Sequence, residues 1–411
     1  MPGRFEIKNR LKDKVKIYTC SSVGIDYFFF LGKAIQYCGY EVSEVFLITE
    51  EEYRRQARSH GFDKFRLRFK MYITYPLMLI KKALTAEKGA VFIVSSNTFY
   101  APLIVRLFLN KNAHVVNLVY DLFPDAIEVA GKLKSNSLLS LIIGNVVRQI
   151  FNKSDVNVFL GNTLKKHALN RWAKDKNKLS RAIPIAADFS LFENDFPIGN
   201  YQKSQFVFHY GGQLGHLHDA DNIIKFIDVV KNEPNSGAHQ FAFNLSGANA
   251  EYLKNKVEYS NVKIEGAIPS NLWREKIKNY QIGIVSLSPG GASVCLPSKT
   301  YSMMGGGLAI IAICPIWSDL ADLVLSLDSG WVINNSFYNS FEAIPVQGYL
   351  KEIKRPRSSK EVEDDMLKLI IELNNNPALI ENKRKNAFFG VRQNYNLNEV
   401  SGQWKELLLK F

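Results

Sequence analysis

The sequence predicts an α/β protein built of two doubly wound parallel-sheet domains in tandem. Three observations carry this: short β-branched runs that are apolar almost throughout, longer helix-periodic stretches between them, and a restart of the same rhythm after residue 200. Strands buried on both faces of a parallel sheet have no polar face, so they lack the usual alternation. A chain of 411 residues holds about two or three domains at roughly 150 residues each.

In the first half, strands are expected at Val15–Thr19, Val45–Thr49, Ala90–Ser95, His114–Val119 and Asp155–Leu160. Helices are expected at Asp26–Cys38, Ser137–Asn152 and Thr163–Ala173, the last capped by Asn162-Thr163. After the break near Asp195–Ser204, strands are expected at Phe206–His209, Phe241–Leu245, Val262–Glu265, Ile282–Leu287, Leu308–Ile313 and Trp331–Asn334. Helices fall between them at Asp219–Lys231, Asn249–Val257, Ser270–Asn279, Ser298–Met304 and Trp317–Ser326. Three more periodic stretches follow, Val362–Asn374, Pro377–Phe389 and Leu397–Leu409. The reading is therefore a first domain over residues 1–195, a second over 205–390, and a terminal helix over 391–411 that reaches back to the first domain.

Composition narrows the class. At 46% hydrophobic, 12% aromatic and 22% charged residues, the chain is neither collagen-like, nor disordered, nor a disulfide-stapled miniprotein. Cys20, Cys38, Cys295 and Cys314 are scattered, with no Cys-x-x-Cys pair, which disfavours a zinc knuckle. The polar start Met1-Pro2-Gly3-Arg4 lacks a signal-peptide core, and the apolar stretches Tyr72–Ile80, Leu138–Val147 and Gly305–Trp317 fall short of the ~20 residues of a membrane span. The expectation is a cytoplasmic protein whose membrane contact, if any, is peripheral. Charge is uneven: residues 1–200 carry 30 Lys and Arg against 18 Asp and Glu, residues 201–411 carry 22 against 21. The first half is thus expected to meet something anionic, either nucleic acid or a membrane face.

Ligands of such sheets bind beyond the carboxyl ends of the strands, so a site is expected in the loops there. Tyr210-Gly211-Gly212-Gln213-Leu214-Gly215 follows a strand and precedes a helix. Its glycines admit a phosphate close to the backbone, or else make a tight turn that binds nothing. It lacks the Gly-Lys-Ser/Thr ending of a Walker loop. His216-x-His218 has no third metal ligand in view, and Asp219-Ala220-Asp221 reads as a helix N-terminus. Leu296-Pro297-Ser298-Lys299-Thr300 reads as a capped helix start, and Lys299 in its first turn opposes the helix dipole unless an anion sits there; the alternative is a solvated surface lysine. Asp121, at a strand's carboxyl end in Tyr120-Asp121-Leu122-Phe123-Pro124, either orients a substrate hydroxyl or caps the next helix.

Together with Val262-Lys263-Ile264-Glu265-Gly266-Ala267-Ile268-Pro269, Ile183-Pro184-Ile185-Ala186-Ala187-Asp188 and the Trp404 helix, these motifs resemble the retaining GT-B glycosyltransferases of family 4, in the branch that builds bacterial O-antigen and capsule. The resemblance implies two Rossmann-like domains facing a central cleft. It implies transfer of a sugar from a UDP-, GDP- or dTDP-linked donor to a saccharide or polyprenyl-diphosphate-linked acceptor, with the nucleotide-sugar as co-substrate and neither cofactor nor metal. By the same resemblance the Gly212-Gln213-Leu214-Gly215 loop and the helix start at Ser298-Lys299 would hold the diphosphate, Gly266, Ala267 and Ile268 would lie against the base, and Gly211 and Thr300 would also bind the nucleotide-sugar. Ser22, Gly24 and Tyr27 would face the acceptor, and Tyr120, Asp121 and Lys299 would be catalytic. Two departures stand out. The family's glutamate pair falls at Val294 and Ser302, so the ribose contact is lost or supplied by Ser302 or a neighbour, and the first-domain histidine is replaced by Tyr120 or Asp121.

The basic excess concentrates in residues 53–82, where Arg54, Arg55, Arg58, Lys64, Arg66, Arg68, Lys70, Lys81 and Lys82 meet a single acid, Asp63. Phe62, Phe65 and Phe69 sit at helical spacing. The pattern is that of an amphipathic helix on an anionic inner-membrane surface through Arg66, Arg68, Phe69 and Lys70, or of an ordinary helix packing its aromatics inward. No nucleic-acid-binding module is visible. A same-fold epimerase and a catalytically degenerate binding or scaffold protein are the rival readings.

Overall fold

Every strand pairing in the two large sheets of the computed structural model is parallel. The structure describes residues 15–57, 61–175, 179–185, 187–197 and 205–411. The polar start at Met1, Arg58, Ala186 and the 198–204 part of the expected break lie outside the described residues. The chain divides into two compact units: 1–125, 136–186 and 395–411 form the first, 126–135 and 187–394 the second.

The first unit holds β1 (Lys16–Cys20), the two-residue β2 (Val23–Gly24), α1 (Asp26–Tyr37), β3 (Glu41–Val45), β4 (Ile48–Thr49) and α2 (Glu50–Ala57). A near-continuous helical run follows: α3 (Phe62–Phe69), a π-helical stretch (Lys70–Thr74) and α4 (Tyr75–Leu84). Then come β5 (Val91–Ser95), α5 (Ala101–Phe108), β6 (His114–Val119), α6 (Asp125–Val129), which passes into the second unit after Asp125, α7 (Leu138–Lys153), β7 (Val156–Phe159), α8 (Asn162–Trp172) and β8 (Ser180–Ala182). The six-stranded sheet runs β3-β1-β5-β6-β7-β8, with β2 and β4 as a separate pair. β2 and β8 are additions to the expected strands, too short or too polar to stand out in the sequence, and the expected strand Val45–Thr49 is displaced: β3 ends at Val45, and beyond it only Ile48–Thr49 of that stretch is a strand, β4. The expected cap on α8 also differs: Gly161 holds the N-cap position, with no side-chain bond.

The second unit holds β9 (Val207–Gln213), α9 (Ala220–Asn232), β10 (Gln240–Ser246), α10 (Ala250–Lys256), β11 (Val262–Gly266), α11 (Ser270–Ile277), β12 (Ile282–Ser286), α12 (Lys299–Gly305), β13 (Ala309–Ile313), α13 (Asp319–Ser326), β14 (Gly330–Ile333), α14 (Tyr349–Glu352), α15 (Ser359–Asn375) and α16 (Ala378–Asn394). Its sheet order is β11-β10-β9-β12-β13-β14. Phe208, Phe226, Phe241 and Phe243 fill its centre, and α15 closes that core with Val362, Met366 and Ile370. The last helix, α17 (Leu397–Leu408), belongs to the first unit, where it packs on α1 and buries Val400, Trp404 and Leu407. Residues 126–135 go instead with the second unit, because Lys354 Nζ donates to the Glu128 carbonyl (3.1 Å) and Val129 packs on Gly290.

In the first unit, Asp125 is wholly buried and accepts from His167 Nε2 (2.7 Å), Arg171 Nη1 (2.5 Å) and Trp172 Nε1 (2.7 Å), tying the segment after β6 to α8. Burial alone would raise its carboxyl, but His167 and Arg171 outweigh it and hold the group below its ordinary value. Its stabilisation is therefore present above the unfolded pKa of about 4 and is lost as pH falls through the lower folded value. Asp125→Ala should cost about 3 kcal/mol at neutral pH, because it orphans a buried cation. Urea denaturation at pH 7 and pH 3 checks this: the gap from the wild type should narrow at pH 3.

Candidate functional site

In a doubly wound sheet the open crevice lies where neighbouring strands send their crossovers in opposite directions. In the second unit this is between β9 and β12. Their pairing lasts for only two positions, Ile282↔Phe208 and Gly283↔His209, before the strands part. β9 itself runs on through the glycines to Gln213, because β10 pairs with it up to Ser246↔Gln213. Gly211 and Gly212 are thus the end of a strand, not the loop after the expected Phe206–His209. The loops beyond the two strands are latched together: Leu217 O accepts from Ser288 N (2.9 Å) and Ser288 Oγ (3.1 Å).

Three side chains gather at the strand end. Trp273 Nε1 of α11 donates to His209 Nε2 (2.9 Å), and His209 Nδ1–H donates to Ala242 O (2.6 Å), which sets the imidazole tautomer. Burial pushes His209 down to about 4, so it stays neutral. Lys299 Nζ lies 4.8 Å from the centroid of the Trp273 ring, a cation–π pair that aims the ammonium. Gly211 fits only without a side chain: a Cβ there would come within 2.3 Å of Trp273 Nε1. Gly212 has φ +119° and would place a Cβ 3.5 Å from Lys299 Cγ. Bare backbone and an ammonium therefore share one strand end.

The surrounding residues sort differently. Ser298 does not cap α12: its own backbone is helical, and its side chain makes no cap bond. Thr300 is fully buried and spends its hydroxyl on Pro297 O (2.8 Å), so it is turned away from any ligand. Ser302 is partly exposed on α12, whereas Val294 is wholly buried. Gly266 ends β11 with open space where a side chain would stand, and Ala267 and Ile268 follow it part-buried. Glu265 is held at about 2, first by Lys263 and then by Lys276 and Asn244. Gln213 is exposed and Gly215 partly so. Asp219 caps α9, accepting from Asn222 N (3.1 Å). His218 Nδ1 faces Ser286 O (2.7 Å), while His216 is exposed. Among the described residues, no group of three His, Cys, Asp or Glu side chains could hold a metal ion.

The first unit's crevice lies between β1 and β5, the neighbours whose connections diverge. Ser96 Oγ donates to Asp121 O (2.9 Å) and accepts from Tyr120 N and Asp121 N, fixing the end of β6. The Tyr120 ring stands 4.6 Å from that of Tyr27, whose hydroxyl bonds Asn97, and Asn97 Nδ2 donates to Ser21 Oγ (3.0 Å). The Asp121 carboxyl is pushed up to about 6 by burial, and Tyr27 and Tyr53 feel its charge. Ser22 is fully buried, and its Oγ has no partner among the described residues. Gly24 is used for packing: a Cβ would come within 2.9 Å of Phe46. Asn97, Ser96, Trp273 and His209 are not marked as site residues by the sequence. The polar run Ser95-Ser96-Asn97-Thr98 after an apolar strand was the one local signal.

No family model matches the chain. The chain is 25% identical over 270 residues to a protein of Pseudomonas aeruginosa named probable glycosyltransferase WbjE, a match spanning 62% of this chain and 65% of that relative, less than two thirds of its length. The fold is that of solved GT-B structures. Sucrose-phosphate synthase from Thermosynechococcus elongatus superposes with a TM-score of 0.64 at 13% identity, covering 97% of this chain and 99% of that one. Trehalose-6-phosphate synthase OtsA gives 0.63 at 8% identity, covering 97% and 99%. A point mutant of S. aureus TarM, solved in complex with fondaparinux, alpha-GlcNAc-glycerol and UDP, gives 0.57 at 14%, covering 81% of this chain and 58% of that one.

Gly211→Ala should cost about 2 kcal/mol through overpacking against Trp273. Trp273→Phe removes the clashing Nε1, so thermal denaturation of the double variant should recover part of the loss; a purely additive result would contradict the contact.

Proposed function

We propose that this chain is a glycosyltransferase. It moves a sugar from a UDP-, GDP- or dTDP-sugar to a saccharide or polyprenyl-diphosphate-linked glycan, without a metal and with retention, in bacterial surface polysaccharide synthesis at the inner membrane face. Homology to a probable glycosyltransferase and the GT-B fold support the class. The observation that carries it is the strand end where Gly212 meets Lys299.

In this reading the bond from the anomeric carbon to the diphosphate breaks, a bond to an acceptor oxygen forms, and the acceptor proton leaves with the diphosphate. The leaving diphosphate gains charge, which a fixed ammonium and close backbone dipoles stabilise. Trp273 keeps Lys299 in place, and Ser302 or a neighbour takes the ribose. In the first unit Asp121, with Tyr27 and Asn97 beside it, orients an acceptor hydroxyl. The run from α3 through α4 meets anionic lipid: Arg66 and Arg68 are exposed, as are Phe62, Phe65 and Phe69, with only Leu67 of α3 buried. The aromatics face outward rather than into a core. Lys70 differs from its expected role, because its Nζ is paired with Glu52 Oε1 at 2.5 Å. Among the described residues no helix is long and apolar enough to cross a membrane.

Calorimetry against UDP, GDP and dTDP should find one that binds. Lys299→Ala should weaken it by about a hundredfold, and Trp273→Leu by about tenfold, the size of a desolvated cation–π pair. Binding of none of them by the wild type would favour the scaffold reading, which the buried Val294 at a glutamate position supports.

Asp121 orients an acceptor hydroxyl best as a carboxylate, whose charge strengthens the bond it accepts. Transfer should therefore rise with pH through about 6, the value to which burial pushes its carboxyl. Asp121→Asn should lower kcat by about a hundredfold and flatten that limb; a limb surviving in the variant would assign it elsewhere.

A further inference from the structure

Helix α7 buries the wrong residues for an ordinary surface helix. Its inward face is Ser140, Gly144, Val147, Ile150 and Phe151. Gly144 lies under Trp172, where a Cβ would come within 2.4 Å of the ring, so only a small residue lets the helix seat. The first two turns present Leu138, Leu139, Leu141 and Ile142 outward, between 54% and 76% exposed. A lone exposed leucine needs no explanation, but four on adjoining positions of one helix end do. From Ser137 to Val147 the sequence carries no charge.

The topology puts this end beside the basic run. The crossovers β5–α5–β6 and β6–α7–β7 are consecutive and of one hand, so α5 and α7 cover the same face of the first sheet. α5 packs against both α4 and α7. Each of these helices starts at the carboxyl edge of the sheet, where Tyr100 heads α5 and its ring lies tilted 6.5 Å from that of Tyr72 of the π-helical stretch. One end of one helical layer in the first unit thus carries exposed Phe65, Phe69 and Ile73 with Arg66 and Arg68, and across α5 an uncharged aliphatic tip.

We propose that the amino-terminal turns of α7 insert into the acyl layer of an anionic bilayer while the α3 cations engage its headgroups. This rests on the membrane-facing reading of the basic run and adds a second, apolar contact to it. A lipid surface suits the pair because the cations match anionic headgroups and the four exposed aliphatic side chains match the acyl layer. The two contacts differ in salt response. The ionic part fades as the Debye length shrinks from about 10 Å at 0.1 M to about 3 Å at 1 M salt, while the apolar part persists.

Sedimentation of the full chain with vesicles of equal phosphatidylglycerol and phosphatidylcholine, at low and molar salt, tests this. The wild type should keep a salt-resistant fraction. Leu138→Ser/Leu141→Ser should remove that fraction, lowering the partition coefficient by about tenfold or more. Arg66→Ser/Arg68→Ser should remove only the salt-sensitive part. Both pairs are exposed, so unchanged melting temperatures should accompany the losses. A leucine variant that binds like the wild type at both salts overturns the insertion while leaving the basic contact standing. A wild type that binds no vesicle overturns the membrane reading itself. A dimer by light scattering that the leucine variant alone dissolves would make the tip a contact between copies and overturn the lipid assignment.

Discussion

The second unit depends on one gap. β9 and β12 are bonded at two positions and then part, because their connections leave toward opposite edges of the sheet and neither helix can cover the space between. A strand end that no helix covers exposes backbone, and here that backbone is Gly212, next to the buried Gly211. The absence of a side chain at Gly211 lets Trp273 approach to its hydrogen bond with His209, and the face of Trp273 in turn holds Lys299. Replacing either glycine or the tryptophan disturbs the same few ångströms, so the cation's position is set by sheet topology more than by the short helix it starts.

Much of this is legible in the sequence. Parallel strands buried on both faces leave continuous β-branched runs, and all six strands of the second unit are found within a few residues of the expected positions. The glycine strand end and Lys299 are legible because they are local patterns. Trp273 and His209 are not. Residues 209, 242 and 273 come from three segments that meet only through the β10–β9 register and the packing of α11, and a lone histidine and a lone tryptophan carry no sequence mark. Ser298 misleads for the opposite reason. Proline followed by serine is a frequent helix start, but a serine already in helical φ/ψ cannot turn its side chain back to cap, and Thr300 bonds Pro297 O instead.

Periodicity also says that a helix forms without saying which face goes inward. For α3 and α7 the usual assumption, large apolar residues inside, is reversed in part: Leu67 alone of α3 is buried, and α7 seats on Ser140 and Gly144. The clue is the four-residue spacing of two small residues, which marks a close helix contact as surely as leucines mark a core. The excess of positive charge in the first half therefore sits beside apolar surface that the fold leaves uncovered, and the two features belong to one face.

The two crevices repeat one topological device with opposite chemistry. In the second unit the strand end offers a cation and bare backbone, which suits an anion. In the first unit it offers hydroxyls, an amide and one carboxyl: Ser21, Ser22, Tyr27, Asn97 and Asp121. Ser22, and Ser95 at the end of β5, are buried with no hydrogen-bond partner for their hydroxyls among the described residues. A buried hydroxyl left without a partner costs about 1–3 kcal/mol, a cost that a bound polar group removes. Both a polyhydroxylated ligand and a diphosphate supply such groups, but Asp121, ionised above a pH of about 6, repels the diphosphate and favours the neutral ligand. Under the proposed function, the division of labour between donor and acceptor then follows from which side chains each sheet places at its own gap.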